Sequence, residues 1–387
     1  MNRLTKIALV ISLAGFSITA NTLPSLVTWF SDSLLVPARY FGRVFLLQYA
    51  AFTLSSIGIG RLQKHMNVPL DRILVGALLT ASLGIMVLGT IDSFISLILI
   101  MILVGGAGGL VESIGTALLS SSDDQGKMVY LSQFLYAVGA ISAPLFVGIL
   151  LKLGMTVPQI VIITGSFAAM VGFTVLVLVF YRYHPIPIRS TLHAEPVGDM
   201  HKTYHETTFR WMFIAMISYV ILESVIGSWL PTFLVQARSF SQADASLLLT
   251  SFWIGLGASR LYYIYHKKKN ITGPLLLHSM VILFGLIFFA TLRGIPMNLP
   301  MMLALLVIGI GCGPIWPLLI EYCSTSFADI HLVMYLVGAG SIGAILGPAI
   351  TAILFGLYHI TAYPLLLLLY VLVMILAMTR VTKKTCT

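Results

Sequence analysis

A carboxylate at the centre of a bilayer costs about 2.5–3.5 kcal/mol on insertion scales, and Glu112, Glu223 and Glu321 all stand inside long apolar runs. Glu223 lies about 13 residues beyond Arg210, which at about 1.5 Å per residue puts it about 20 Å deep, near the midplane. Glu112 stands about 11 residues before Asp123, also well inside and on the inner side of centre. Glu321 falls near the inner end of its run, within reach of the interface. The chemistry open to a deep acid is proton exchange: unpaired in hydrocarbon it is best tolerated protonated, and it can release its proton once water reaches it. The structural alternative is a hydrogen bond to a neighbouring helix. No base is expected at comparable depth, because Arg260 falls near the inner surface and His278 belongs to a peripheral run. Glu112 is therefore expected to be the proton-linked carboxylate, with Glu223 assisting through hydrogen bonds to a solute.

Other side chains complete the candidate site. Asn21, Gln48, Gln133 and Tyr219 carry donors and acceptors that need partners in hydrocarbon. Trp253 and Trp316 lie inside runs, where an aromatic face can stack on a sugar ring or pack as core, whereas Trp29, Trp211 and Trp229 fall near run ends, the usual place of interfacial anchors. Arg61 and Arg260 end their runs at matching places, positions suited to gating or bracing the inner mouth, or to plain topology anchoring. Cys312, Cys323 and Cys386 offer no disulfide framework, and His184, His193, His201 and His205 are irregularly spaced in a polar stretch. No metal and no cofactor are expected.

The elements that must hold these residues follow from composition. Charged residues make up 9% of the chain and apolar ones 58%, against about 25% charged in soluble proteins. Apolar runs long enough to span a bilayer lie at 6–30, 41–61, 73–91, 94–119, 128–151, 157–181, 211–236, 244–265, 273–292, 298–322, 331–357 and 361–379. The pattern predicts an all-α polytopic membrane protein of twelve transmembrane helices in two six-helix bundles, residues 1–181 and 211–387, joined by a cytoplasmic linker at 182–210. Ile18-Thr19-Ala20 resembles a signal cleavage site, but the internal repeat requires this segment as the first span.

That repeat is explicit. Asn21-Thr22-Leu23-Pro24-Ser25-Leu26 returns as Ser228-Trp229-Leu230-Pro231-Thr232-Phe233, Gly60-Arg61-Leu62 as Ser259-Arg260-Leu261, and Gly139-Ala140-Ile141-Ser142-Ala143-Pro144 as Gly343-Ala344-Ile345-Leu346-Gly347-Pro348. Tandem membrane halves imply a secondary transporter with its solute path between them. The net charge of +9 is a topology signal rather than a nucleic-acid one. With both termini inside, the outer segments hold only Arg39, Arg43, Lys152, Arg238 and Arg293, and every other Lys and Arg except Arg260 is inside. The expected place is a cytoplasmic (inner) membrane, with N and C termini cytoplasmic. The expected partners are the lipid bilayer, a small-molecule solute and a proton, with a functional monomer and no nucleic acid.

The chain resembles the major facilitator superfamily over essentially its whole length and, within it, the fucose-permease-type sugar–proton symporters. Gly108-Gly109-Leu110-Val111-Glu112-Ser113 is similar to that group's Gly-rich stretch ending in a membrane glutamate. Glu223-Ser224-Val225-Ile226-Gly227-Ser228-Trp229-Leu230-Pro231-Thr232 looks like its Glu…Trp-Leu-Pro-Thr signature, and Phe252-Trp253-Ile254-Gly255-Leu256…Arg260 its Phe-Trp-x-Gly-Leu…Arg element. The resemblance implies proton-driven symport of a sugar-like solute. The chain departs from the pattern at Ala20-Asn21-Thr22-Leu23, which lacks the group's first-span acid, and at Gly60-Arg61-Leu62-Gln63-Lys64-His65, which lacks the superfamily's loop acid. Gly343-x-x-x-Gly347-Pro348 resembles an antiporter signature, so efflux of drugs or metabolites is the alternative. A polytopic membrane enzyme is the alternative from another class, and it would need clustered catalytic residues that no motif supplies.

Overall fold

A segment crossing a bilayer must satisfy its own backbone N–H and C=O groups, and the apolar runs accordingly fold as helices. The computed structural model describes residues 3–65, 70–120, 127–180, 202–266, 271–292, 298–327 and 330–383. The first half holds α1 (Arg3–Thr22), α2 (Val27–Ser33), α3 (Phe41–His65), α4 (Leu70–Val87), α5 (Phe94–Ser120), α6 (Lys127–Lys152) and α7 (Val157–Phe180). The second holds α8 (Lys202–Arg238), α9 (Gln242–Tyr265), α10 (Thr272–Thr291), α11 (Asn298–Cys312), α12 (Ile315–Phe327), α13 (Ile330–Tyr358) and α14 (Tyr363–Lys383). Among the described residues, 10 helical stretches are long and apolar enough to cross a membrane. The two spans that fall short of that measure are α3 and α9, matching helices of the two halves, which carry Arg43, Gln48 and Arg61, and Asp244 and Arg260.

Proline sets the breaks. Pro24 has no N–H for the carbonyl of Ala20, and the first span divides there into α1, a 3-10 turn at Leu23–Leu26, and α2. Pro314 does the same to the tenth span, which divides into α11 and α12. Pro144, Pro231 and Pro348 instead sit inside unbroken helices, so Pro24 and its repeat partner Pro231 have different local consequences. The stretch 202–210, expected to be linker, is the first part of α8; residues 182–201 lie outside the described residues.

The halves are packed alike. In the first, α1 packs on α6 and α7, α3 on α5, and α4 on α5 and α7. In the second, α8 packs on α13 and α14, α9 on α11, and α10 on α11 and α14. Glycine permits the closest of these approaches: a Cβ at Gly105 or Gly109 of α5 would meet the backbone carbonyls of Gln48 or Phe52 on α3, and one at Gly309 or Gly313 the carbonyls of Phe252 or Leu256 on α9. Gly106 faces open space.

Between the halves, α3 meets α13 and α6 meets α9. At the end remote from the chain termini both seams are shut. Gly42 of α3 lies against Ala352 and Pro348 of α13, and Gly148 of α6 against Leu247 and Ala243 of α9. Phe45 of α3 packs edge-on against Trp229 of α8 at 5.5 Å. Gln242 Nε2 donates to the Ser25 carbonyl at 2.9 Å, and Lys152 pairs with Asp244 at 2.9 Å. At the terminal end the seams differ. Among the described residues, Gly58 and Gly60 of α3 and Gly338 of α13 have nothing within 4 Å of a Cβ position, while on the other side Tyr130 of α6 donates to Glu321 of α12 at 2.7 Å and stacks on Tyr263 of α9 at 6.4 Å.

Candidate functional site

Arg260 is the residue around which the site is built. Its side chain is buried, at 1% exposure, and a guanidinium brings five N–H donors and no acceptor. Nε donates to the Gly313 carbonyl at 3.0 Å and Nη1 to the Gln133 carbonyl at 3.0 Å, while Nη2 reaches Glu223 Oε1 at 3.5 Å. Sequence dictates the first of these. In a helix the Gly313 carbonyl would accept from residue 317, which is Pro317 and has no N–H. The freed acceptor turns to Arg260. Gln133 belongs to α6, so the second bond crosses between the halves.

Glu223 is thus ion-paired and not alone, contrary to the expectation from depth. The expectation placed Arg260 by its Cα, near the terminal end of α9; the long side chain extends inward from there. The contact is still long for a charge-assisted bond, which closes at about 2.7–2.9 Å. Glu112 lies within electrostatic reach of both Arg260 and Glu223 and makes no hydrogen bond or ion pair among the described residues. Its neighbour Ser113 bonds Ser56 of α3, which ties this part of α5 in place.

Tyrosines surround the acids. Tyr219 is fully buried and within electrostatic reach of Glu223 and Arg260. Tyr49 lies near Ser228 and Glu223, and Tyr136 near Tyr49, Glu112 and Glu223. Asn21 is 7% exposed; its Nδ2 donates to the Ser17 carbonyl at 2.9 Å and reaches Tyr136 Oη at 3.4 Å. Trp253 packs edge-on against Tyr136 at 6.5 Å and lies beside Gly227 of α8. Ring and acids are therefore assembled from α1, α3, α5, α6, α8 and α9, helices of both halves. Tyr219 Oη and Ser228 Oγ lie against Glu223 and Tyr49, while Thr232 Oγ1 and Trp253 Nε1 are buried with no hydrogen bond among the described residues, groups that a water or a ligand can complete.

Of the residues singled out from sequence, Glu112, Glu223, Asn21, Tyr219 and Trp253 come together here, with Arg260 in their midst. Gln133 joins through its backbone carbonyl rather than its amide side chain. Gln48 is buried where α3 packs on Gly105, and Trp316 stands beside Gly340 of α13; among the described residues no bond ties either to the cluster. Arg61 departs from its repeat partner: it is exposed, with no hydrogen bond or ion pair among the described residues. Trp229 is no interfacial anchor. It is fully buried between Phe45 and Phe355, and its Nε1 donates to the Pro348 carbonyl at 3.0 Å. Sequence reasoning passed over Tyr49 and Tyr136, which have no distinguishing motif, and the Gly313–Pro317 break, whose signal, Gly-Pro-x-x-Pro, was present. Among the described residues no group of His, Cys, Asp and Glu could hold a metal ion.

Comparison with known proteins places this arrangement. Residues 7–348 match the family described as Major Facilitator Superfamily. None of the curated proteins matches significantly. Among solved structures, a bacterial homologue of the human lysosomal transporter Spinster, inward-facing and occupied, superposes with a TM-score of 0.68 at 12% identity, covering 99% of this chain and 96% of that one. A point mutant of the nucleoside transporter NupG superposes with a TM-score of 0.72 at 14% identity, covering 98% of this chain and all of that one.

Proposed function

The chain belongs to the Major Facilitator Superfamily, and from that premise we propose that it carries a small polar, sugar-like solute across the cytoplasmic membrane by alternating access, coupled to a proton at Glu112. The observation that carries this reading is one guanidinium near two acids between the halves: Arg260 contacts Glu223, and Glu112 stands within electrostatic reach with no hydrogen bond or ion pair among the described residues. The cluster bears one net negative charge when both acids are ionised and none when Glu112 holds a proton. Uncompensated charge away from water is costly, so neutral and charged forms suit different degrees of water access, which is what a coupling site needs. The buried donors at Tyr219, Ser228, Thr232 and Trp253 favour a solute rich in hydroxyl or carbonyl oxygen. The terminal end faces the cytoplasm in this reading, in keeping with the distribution of Lys and Arg.

The test is flux in proteoliposomes with labelled sugars and nucleosides. Glu112→Gln keeps the side chain's shape and removes its titration. The variant is expected to lose uphill accumulation driven by a proton gradient and to retain counterflow exchange. Proton-driven accumulation that survives in Glu112→Gln would show that Glu112 is structural.

A further inference from the structure

At the terminal end the α3–α13 seam carries unfilled glycine faces, while the α6–α9 seam is held. Among the described residues two bonds between the halves hold α6 here: Tyr130 to Glu321 of the neighbouring α12, and the Gln133 carbonyl to Arg260 Nη1 of α9. The second is joined to the acidic cluster through the same guanidinium. Resting on the transport reading above, we infer that Arg260 is a positioning residue for which Gln133 and Glu223 compete, so that loss of negative charge at Glu223 keeps the α6–α9 seam shut and a free Glu223 opens it.

The argument is one of donors and acceptors. Nε is anchored to Gly313, an acceptor of the same half that Pro317 leaves unserved. The guanidinium is planar and rigid, so with Nε fixed its two terminal nitrogens are placed together. In this arrangement Nη1 closes on Gln133 at 3.0 Å, and the Glu223 contact is stretched to 3.5 Å. At 1% exposure, bulk solvent does not reach the guanidinium. Moving α6 away leaves a buried N–H without acceptor, a cost that a closed pair with Glu223 offsets. Glu223 and Gly313 travel with Arg260, being in its half, and Gln133 does not. The other charged or titratable groups within reach of this guanidinium are Glu112, Tyr219 and Cys312; none is bonded to it.

Nitroxide labels at Arg72→Cys and Tyr265→Cys, exposed positions near the terminal end of opposite halves, report the opening in a Cys386→Ser background. The distance is measured in nanodiscs without solute, so failure of the sugar or proton assignment does not enter. Glu223→Gln is expected to move the population toward the short distance, and Arg260→Gln toward the long one, each by about tenfold in the ratio of states. In the double variant the Glu223→Gln effect disappears. Arg260→Lys, which keeps the charge without the fork, is expected to follow Arg260→Gln and carries the test where that variant yields no protein. Shifts of both single variants in one direction, or no shift in either, would overturn the inference, since a pair that only stabilises the fold has no reason to act oppositely.

Discussion

Phe45→Ala removes the ring by which α3 of one half meets Trp229 of the other. The rings stand edge to face at 5.5 Å and an interplanar angle of 82°. Phe45 is 1% exposed and Trp229 fully buried, so the contact is complete in this state and cannot persist once the halves part at the end remote from the termini. Opening exposes the Phe45 ring to the water that enters between the halves, a transfer term of about 1.5–3 kcal/mol beside the aromatic pair of about 1 kcal/mol, so losing the ring is expected to lower the ratio of closed to open forms by at least about tenfold. Trp229→Phe is the counter-experiment. It keeps an edge-to-face ring but removes the 3.0 Å bond from Nε1 to the Pro348 carbonyl. That bond joins α8 to α13 within one half rather than the two halves, so its loss is expected to reduce stability by about 1 kcal/mol and leave the ratio unchanged. Labels at Ser33→Cys and Tyr358→Cys, exposed at that end in opposite halves, report the separation. Equal opening by Phe45→Ala and Trp229→Phe would refute the assignment of the closure at this end to the Phe45–Trp229 contact between halves.

Further outcomes are expected from the same coordinates. Gly105→Val should sharply lower the yield of folded protein, because its Cβ meets the Gln48 carbonyl, whereas Gly106→Ala, facing open space, should leave yield and melting temperature unchanged. Lys152→Ala should alter the state ratio only slightly, by less than about 1 kcal/mol and less still at high salt, because the Lys152–Asp244 pair is 53% and 27% exposed. Pro317→Ala returns an N–H to the Gly313 carbonyl and so competes with Arg260 for it; crystallography should show the Arg260–Gly313 bond lengthening beyond 3.0 Å, with the break at Pro314 retained.

Sequence alone determined the helices and their grouping, because in lipid the backbone can satisfy itself only within helices or closed barrels, and the apolar runs have helical length. It also determined that two halves would pack alike, since the Gly60/Ser259, Pro24/Pro231 and Pro144/Pro348 echoes preserve order and spacing. The two deep acids were legible because a carboxylate in hydrocarbon is too costly to be incidental. Tertiary structure decided what those acids face. Depth along a chain locates a Cα, not the end of an arginine, so the Arg260–Glu223 contact could not be read from spacing. Repeat symmetry predicted equal roles for Arg61 and Arg260, yet one is exposed and the other buried, because Arg260 alone has beside it a carbonyl released by Pro317. Trp229 sits late in its apolar run and reads as an interfacial anchor, but the neighbouring half covers that stretch of α8 and makes it core. Such outcomes depend on which helix of the other half lies alongside, and that is set by packing between residues far apart in the chain.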